Sequence, residues 1–367
     1  MIFAGGLGNL SGVNKTSLQF LEKLINTPSP SGFEAKGQRV WLDYAAQFAD
    51  ETSTDAYGNA IAVLNPKGKT KIMVAGHADE IGFMINYIND EGFIYVQAIG
   101  GIDVSLARGQ RVFIHGAKGA VTGVTGALAI HLQDKSADAK APKIEEIFID
   151  IGVRDRKEAE KLVSVGDPVT YVDAFEVLRG NTVVARACDN RIGTFAAAET
   201  LRLLKESKKC DVCVVAVSTV QEENGLYGAQ MVGYSIKPDA ALVIDVGHAT
   251  DIPPCTKTKH GDVRLGKGPI LSVGSANHPV VVERLKISAA KAKIDYQKGI
   301  DPRWSGTDAD GIFLSRGGVP TACIGLPNRY MHTPVEMIDL GDLEAISVLC
   351  AEFCRSVKSG ETFKVKI

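Results

Sequence analysis

The chain has 367 residues, 45% of them hydrophobic and 23% charged, proportions ordinary for a soluble globular enzyme of two domains or one domain with an insertion. Its formal charge of −2 gives no electrostatic case for nucleic acid or an anionic membrane as partner. No apolar run approaches the roughly 20 residues of a membrane helix, Met1–Gly8 lacks the basic region and apolar core of a signal peptide, and seven cysteines lie scattered in apolar or helical text, so a cytoplasmic protein is expected.

Residues 16–27 have helical spacing (Leu18, Leu21, Leu24, Ile25) and stop at the breaker Pro28-Ser-Pro-Ser-Gly32. A second amphipathic stretch covers 34–48, and short β-rich runs follow at 59–64 and 71–75. Just past the second run stands "GHADEIG", where His77 is a candidate metal ligand and Asp79, two residues on, its orienting partner. Taken alone, a histidine at a strand end is more often simply satisfied in the core.

From about 85 to 172 the text changes to short strands and Gly-rich turns, such as "GFIYVQAIGG" and "GQRVFIHGAKGAVTGVTG". One helical pattern, 156–163 with Asp155 as N-cap, interrupts it. This predicts a small β-barrel-like domain inserted into an α/β frame. Its run Phe93-Ile-Tyr-Val96 predicts an exposed apolar surface that a partner would cover.

After 181 the α/β alternation resumes. Strand-like runs at 211–217, 240–246 and 321–326 alternate with helical stretches near 191–206, 280–293, 308–316 and 341–357, which predicts a three-layer α/β domain. Residues 1–81 and 177–367 form that domain in this reading, and 82–176 the insertion. Cys210-Asp-Val-Cys213 lacks the second pair of a zinc site or the turn of a redox motif, and reads as core packing.

Four further motifs stand at strand ends. "RACDNRIG" puts Asp189 where a strand yields to a helix, a place that also suits a helix cap. "STVQEENGLYGAQ" sets Glu222 beside Glu223, two anions that repel unless something compensates them. "ALVIDVG" ends an apolar strand on Asp245, costly to bury unless paired or metal-bound. "MHTPVE" puts His332 in a turn beyond the last strand. Neighbouring strand ends in an α/β sheet converge on one crevice. Two histidines and three carboxylates there are the ligand set of a pair of divalent metals, with one carboxylate left over as general base.

On these motifs the sequence resembles the family-42 metallo-aminopeptidases, glutamyl and leucyl aminopeptidases known for tetrahedral shells. "GHADEIGFM", "GGIDVSLARGQRV", "ARACDNRIGTFAAAETL", "TVQEENGLYGA", "SGTDADGI" and "PTACIGLPNRYMHTPVEMIDL" carry the likeness, in order, over about residues 15–358. The resemblance implies a di-metal peptidase domain with a PDZ-like oligomerisation insert. His77 and Asp245 would hold one metal, Glu223 and His332 the other, and Asp189 would bridge them. Glu222 would be the general base on a water between the metals, and Asp79 would orient His77.

Short peptides are the implied substrates, two zinc or cobalt ions per subunit the implied cofactors, and a homo-oligomer, from dimer to dodecamer, the implied assembly. Cys188 stands before Asp189 where an aliphatic residue is expected, and His248 is an extra candidate ligand. The loop Asp301-Pro-Arg-Trp-Ser305 is a candidate wall of the first side-chain pocket, where Arg303 would favour acidic residues if it faces the pocket and Leu or Met would fit if it turns away. Two alternatives stand beside this reading: a related di-metal deacylase or carboxypeptidase, and a non-catalytic peptide-binding shell protein with structural metals.

Overall fold

A computed structural model describes residues 13–132 and 141–367. Helix α1 (Lys15–Asn26) starts where the Asn14 side chain accepts the Ser17 N–H, and it buries Leu18, Leu21, Leu24 and Ile25 on one face. There follow α2 (Ala35–Ala45), β1 (Glu51–Thr54), β2 (Ala60–Leu64) and β3 (Lys71–His77).

The chain then runs through β4 (Gly82–Ile88), β5 (Ile94–Ile99), β6 (Arg111–Gly116), β7 (Gly119–Thr125), β8 (Phe148–Asp150), α3 (Arg156–Ala159) and β9 (Pro168–Tyr171). These six strands close into a barrel in the order β4-β5-β8-β7-β6-β9. Closure corrects one expectation. Ile94 and Val96 are not exposed; they point inward with Phe83, Val112 and Ile149, while Phe93 and Tyr95 are half-buried. Because β5 is bonded on both sides, by β4 and β8, it offers no free edge. The helix expected over 156–163 is one turn, capped by Asp155 accepting the Glu158 N–H.

The remaining elements are β10 (Glu176–Arg179), β11 (Thr182–Ala185), α4 (Cys188–Ser207), β12 (Cys213–Thr219), α5 (Tyr227–Ile236), β13 (Ala240–His248), α6 (Lys257–His260), β14 (Ile270–Gly274), α7 (Pro279–Ala292), β15 (Gln297–Asp301), α8 (Asp308–Phe313), β16 (Thr321–Asn328), β17 (Glu336–Asp339) and α9 (Leu340–Ser356). An eight-stranded sheet in the order β1-β2-β12-β3-β13-β16-β14-β15 forms the middle layer. One face packs against α1, α2, α4, α7 and α9, the other against α5 and α8. The fold is therefore three-layer α/β with a closed barrel between β3 and β10.

Strands β12, β3, β13 and β16 run parallel, and their runs of buried residues are what a sheet covered on both faces requires. Parallel pairing puts their carboxyl ends on one edge: Thr219 lies opposite His77, and Asp245 opposite Gly325. The expected strand start at 211 moves to Cys213, which is buried in β12, with Cys210 half-buried outside it; all seven cysteines are free.

Candidate metal centre

The close approach of α4 to the sheet sets the site. A Cβ on Gly76 would meet Gly193 backbone at 2.4 Å, and one on Gly193 would meet the Ile244 carbonyl at 2.6 Å, so only glycine lets α4 lie this near β3 and β13. Asp189 and Asn190, joined by a cis peptide, have non-helical dihedrals, and regular helix begins after them. Asp189 is thereby held over the carboxyl ends of β3 and β13 rather than at a helix cap.

The seven residues that the resemblance assigns to the site, His77, Asp79, Asp189, Glu222, Glu223, Asp245 and His332, meet here. Asp189 lies between the two imidazoles: His77 Nε2 is 3.1 Å from its Oδ1 and His332 Nε2 3.3 Å from its Oδ2. Glu223 is 3.6 Å from His332 Nε2, and Asp245 is 3.9 Å from His77 Nε2. Ligand atoms of His77, Asp189 and Glu223 lie within 4.8 Å of one another, as do those of His77, Glu222 and Asp245. Glu222, at 3.7 Å from His77 Nε2, is thus as near the cluster as Asp245.

Each histidine is turned by its other nitrogen. His77 Nδ1 faces the Asp79 backbone carbonyl at 3.2 Å and the Asp79 carboxylate at 3.4 Å. His332 Nδ1 donates to the Gly101 carbonyl at 2.8 Å. With Nδ1 engaged behind each ring, Nε2 is the nitrogen turned toward the carboxylates, and losing its proton would make it a metal ligand. His332 sits in the left-handed region (φ 61°), a conformation that costs a β-carbon residue energy and aims its ring at Asp189. Gly100 and Gly101, in the loop leaving β5, press on the same groups: a Cβ would come 3.1 Å from Glu223 Oε2 at the first and 3.0 Å from His332 Nδ1 at the second.

The electrostatics ask for cations. Burial pushes Glu222 up to about 9 and holds Glu223 and Asp245 well above the usual carboxylate range. For Asp189 burial also acts upward, but hydrogen bonds with His332 and His77 bring it below its ordinary value. Burial would lower His77; the charge of Glu222 and the hydrogen bond with Asp189 raise it instead. Among the described residues no Lys or Arg forms an ion pair with Asp189, Glu222, Glu223 or Asp245. Four carboxylates without a cationic side chain, with two imidazole nitrogens facing them, fit divalent metal ions.

Three groups escaped the sequence reading. Buried Glu336 accepts the Asp189 N–H at 2.9 Å and the His332 N–H at 3.0 Å, tying bridge and histidine together; its only sequence signal was its place four residues after His332. Fully buried Asp308 accepts the Thr219 hydroxyl beside His77, and its other oxygen has no partner among the described residues. Glu80 pairs with Arg186 and Arg191. Cys188 is fully buried, and burial raises its thiol well above the ordinary value, so it is a neutral packing group. His248 is exposed and joins no ligand group. Arg303 and Trp304 are exposed as well; the small cleft at the centre is lined instead by Ile81, Tyr171, Arg186, Thr333 and Glu336 with the ligands.

The sequence model of the M42 glutamyl aminopeptidases matches residues 58–349. The lysyl aminopeptidase of Pyrococcus furiosus is 35% identical over 331 residues, covering 89% of this chain and 93% of that one. Among solved structures, the TET aminopeptidase of a marine-sediment Thaumarchaeota archaeon aligns with a TM-score of 0.89 at 31% identity, covering 94% of this chain and 97% of that one. The TET1 peptidase of Pyrococcus horikoshii, which can assemble into a tetrahedron or a large octahedral shell, aligns with a TM-score of 0.82 at 31% identity over 93% and 100%. With four-fifths of its length matched and its strand-end carboxylates and histidines gathered in one cluster, the chain belongs to the M42 family of aminopeptidases.

Proposed function

We propose that this aminopeptidase removes N-terminal residues from short peptides with two divalent cations, zinc or cobalt, shared by Asp189. In this reading His77 and Asp245 hold one cation, and Glu223 and His332 the other. The observation that carries it is the Asp189 carboxylate set between two Nε2 atoms, one oxygen to each. When bound, such cations would polarise the scissile carbonyl and acidify the attacking water. Glu222 takes the proton of that water and passes it to the departing amine. Asp79 fixes the base by accepting the Glu222 N–H, and turns His77 through Nδ1.

Residues 82–176 serve in this proposal as the unit of assembly, and 1–81 with 177–367 as the catalytic unit. The assembly is a homo-oligomer between dimer and dodecamer. A cytoplasmic location suits free cysteines and a chain in which no described helix is long and apolar enough to cross a membrane.

The test is removal and return of metal. Chelator-stripped protein is expected to lose hydrolysis of a free-amine peptide and to regain it on addition of zinc or cobalt, saturating at two ions per chain. Full activity in protein shown to be metal-free would overturn the proposal.

A further inference from the structure

The loop 28–34 has two sides. On one, the Ser31 hydroxyl donates to Asp79 at 2.6 Å, inside the cluster described above. On the other, Pro28, Pro30, Phe33 and Glu34 line a separate, partly open cavity of about 390 Å³, bordered by Tyr57 and by His115 and Pro168 of the barrel. That volume falls in the range of small-molecule sites.

The cavity holds an incomplete polar anchor. Glu34 is only 5% exposed. Its Oε1 accepts the N–H groups of Gly32 at 2.7 Å and Gln221 at 3.2 Å, and no Lys, Arg or His among the described residues forms an ion pair with the carboxylate. Lys36, exposed on the same wall, forms no ion pair with any described residue. Buried carboxylates are otherwise paired or fully hydrogen-bonded. The walls beside Glu34 are proline and aromatic rings, and burial pushes its carboxyl up to about 7, as expected for an anion that lacks its counter-charge.

We propose that this cavity binds an apolar α-amino acid, its ammonium on Glu34 Oε2, its carboxylate toward Lys36 and its side chain against Pro28, Pro30 and Phe33. A free α-amino acid is also the class of product an aminopeptidase releases. Because Glu34 holds the N–H of Gln221, the residue before the assigned base, an occupied cavity would bear on the turn that carries Glu222. The cavity itself does not depend on the reading of the metal cluster.

The test is calorimetric titration of the full-length, metal-loaded protein with L-leucine, L-leucinamide and N-acetyl-L-leucine. The two free amines are expected to bind with an event that N-acetyl-L-leucine does not give. Glu34→Gln weakens that event by about tenfold or more, as loss of a charge-assisted contact does, and folded Asp189→Asn keeps it. An event unchanged in Glu34→Gln, or lost in folded Asp189→Asn, overturns the proposal. Where Glu34→Gln folds poorly, a wild-type crystal soaked in L-leucine decides. Density against Glu34 supports the site; density confined to the Asp189 cluster, or none, removes it. A protein inactive toward every peptide would sink the catalytic reading and leave this titration interpretable.

Discussion

The Asp79 carboxylate accepts the backbone N–H of Glu222 at 3.0 Å. Its second oxygen accepts the Glu223 N–H at 3.1 Å, and the same residue faces His77 Nδ1. One buried acid therefore sets the turn that carries both glutamates and the ring of the first histidine. The turn is thereby fixed from behind while the two adjacent side chains diverge, Glu222 toward His77 and Glu223 toward His332.

The first prediction separates base from ligand. Glu222→Gln keeps the size of the side chain and removes its ability to take a proton, so turnover should fall by roughly 10²–10⁴-fold while metal content stays at two per chain. The distances leave this a sharp test, because Glu222 is as close to His77 as Asp245 is. Loss of both metals from folded Glu222→Gln protein would put Glu222 in the ligand shell.

The second concerns sharing. Asp189 meets both imidazoles, whereas His77 and His332 each meet it from one side. Metal titration should show Asp189→Ala weakening two sites, and His77→Ala or His332→Ala one site each. Two tight metals in Asp189→Ala would return Asp189 to a purely local role at the start of α4.

The architecture and the cluster were legible because central parallel strands are unbroken apolar runs, so a carboxylate or histidine at their ends stands out. β3, β12 and β13 carried His77, Glu222 with Glu223, and Asp245 in that way. The edge strand β15 and its neighbour β14 were not read: they are short, half-exposed and lack either periodicity. Glu34, Glu336 and Asp308 were missed for another reason. The partners that bury them lie 187, 147 and 89 residues away in the chain, and little in the local text marks a carboxylate that folding will bury. Phe93–Val96 misled because alternation shows that a strand has two faces, not which neighbour covers them.

The third prediction is a pH dependence of the metal-free protein. Burial holds Glu222 at about 9 against an ordinary 4.5, with Glu223 and Asp245 raised in the same direction. Between those values the folded protein retains protons that the unfolded chain has released, so its stability falls as pH rises, by up to ~1.4 kcal/mol per pH unit for each such proton. Glu80 has the opposite sign: burial would raise it, but Arg186 and Arg191 hold it down, so its contribution is present at neutral pH and lost only in acid. Melting of stripped protein should therefore drop from about pH 6 to about pH 8, and metal-loaded protein should hold level. A stripped protein that gains stability over that interval contradicts the assignment.

The fourth concerns assembly. Among the described residues, the apolar side chains that the insertion exposes by more than half include Ile130 and Leu132, between β7 and β8. A surface of this kind is normally covered by a partner. Light scattering should give a mass well above the 39.1 kDa of one chain, and Ile130→Glu should shift it downward. A monomer at every metal concentration would end the shell reading.

The last prediction is the direction of cleavage. A carboxypeptidase must hold the substrate's terminal carboxylate, which calls for a free arginine fork. The arginines around this cluster are already committed. Arg191 is fully buried and donates to the carbonyls of Ala78, Leu24, Ile25 and Thr27 and to the Glu80 carboxylate. Arg186 pairs with the other oxygen of Glu80, and Arg329 is bidentate on Asp251 at 2.9 and 2.6 Å. The cluster instead presents four carboxylates, a surface that attracts the protonated α-amine of a peptide. Two blocked versions of one short peptide, digested and read by mass, test this. The amidated peptide with a free amine should be shortened from its N-terminus, and the N-acetylated peptide with a free carboxylate should stay intact. The reverse pattern would replace aminopeptidase by carboxypeptidase chemistry while leaving the metal cluster standing.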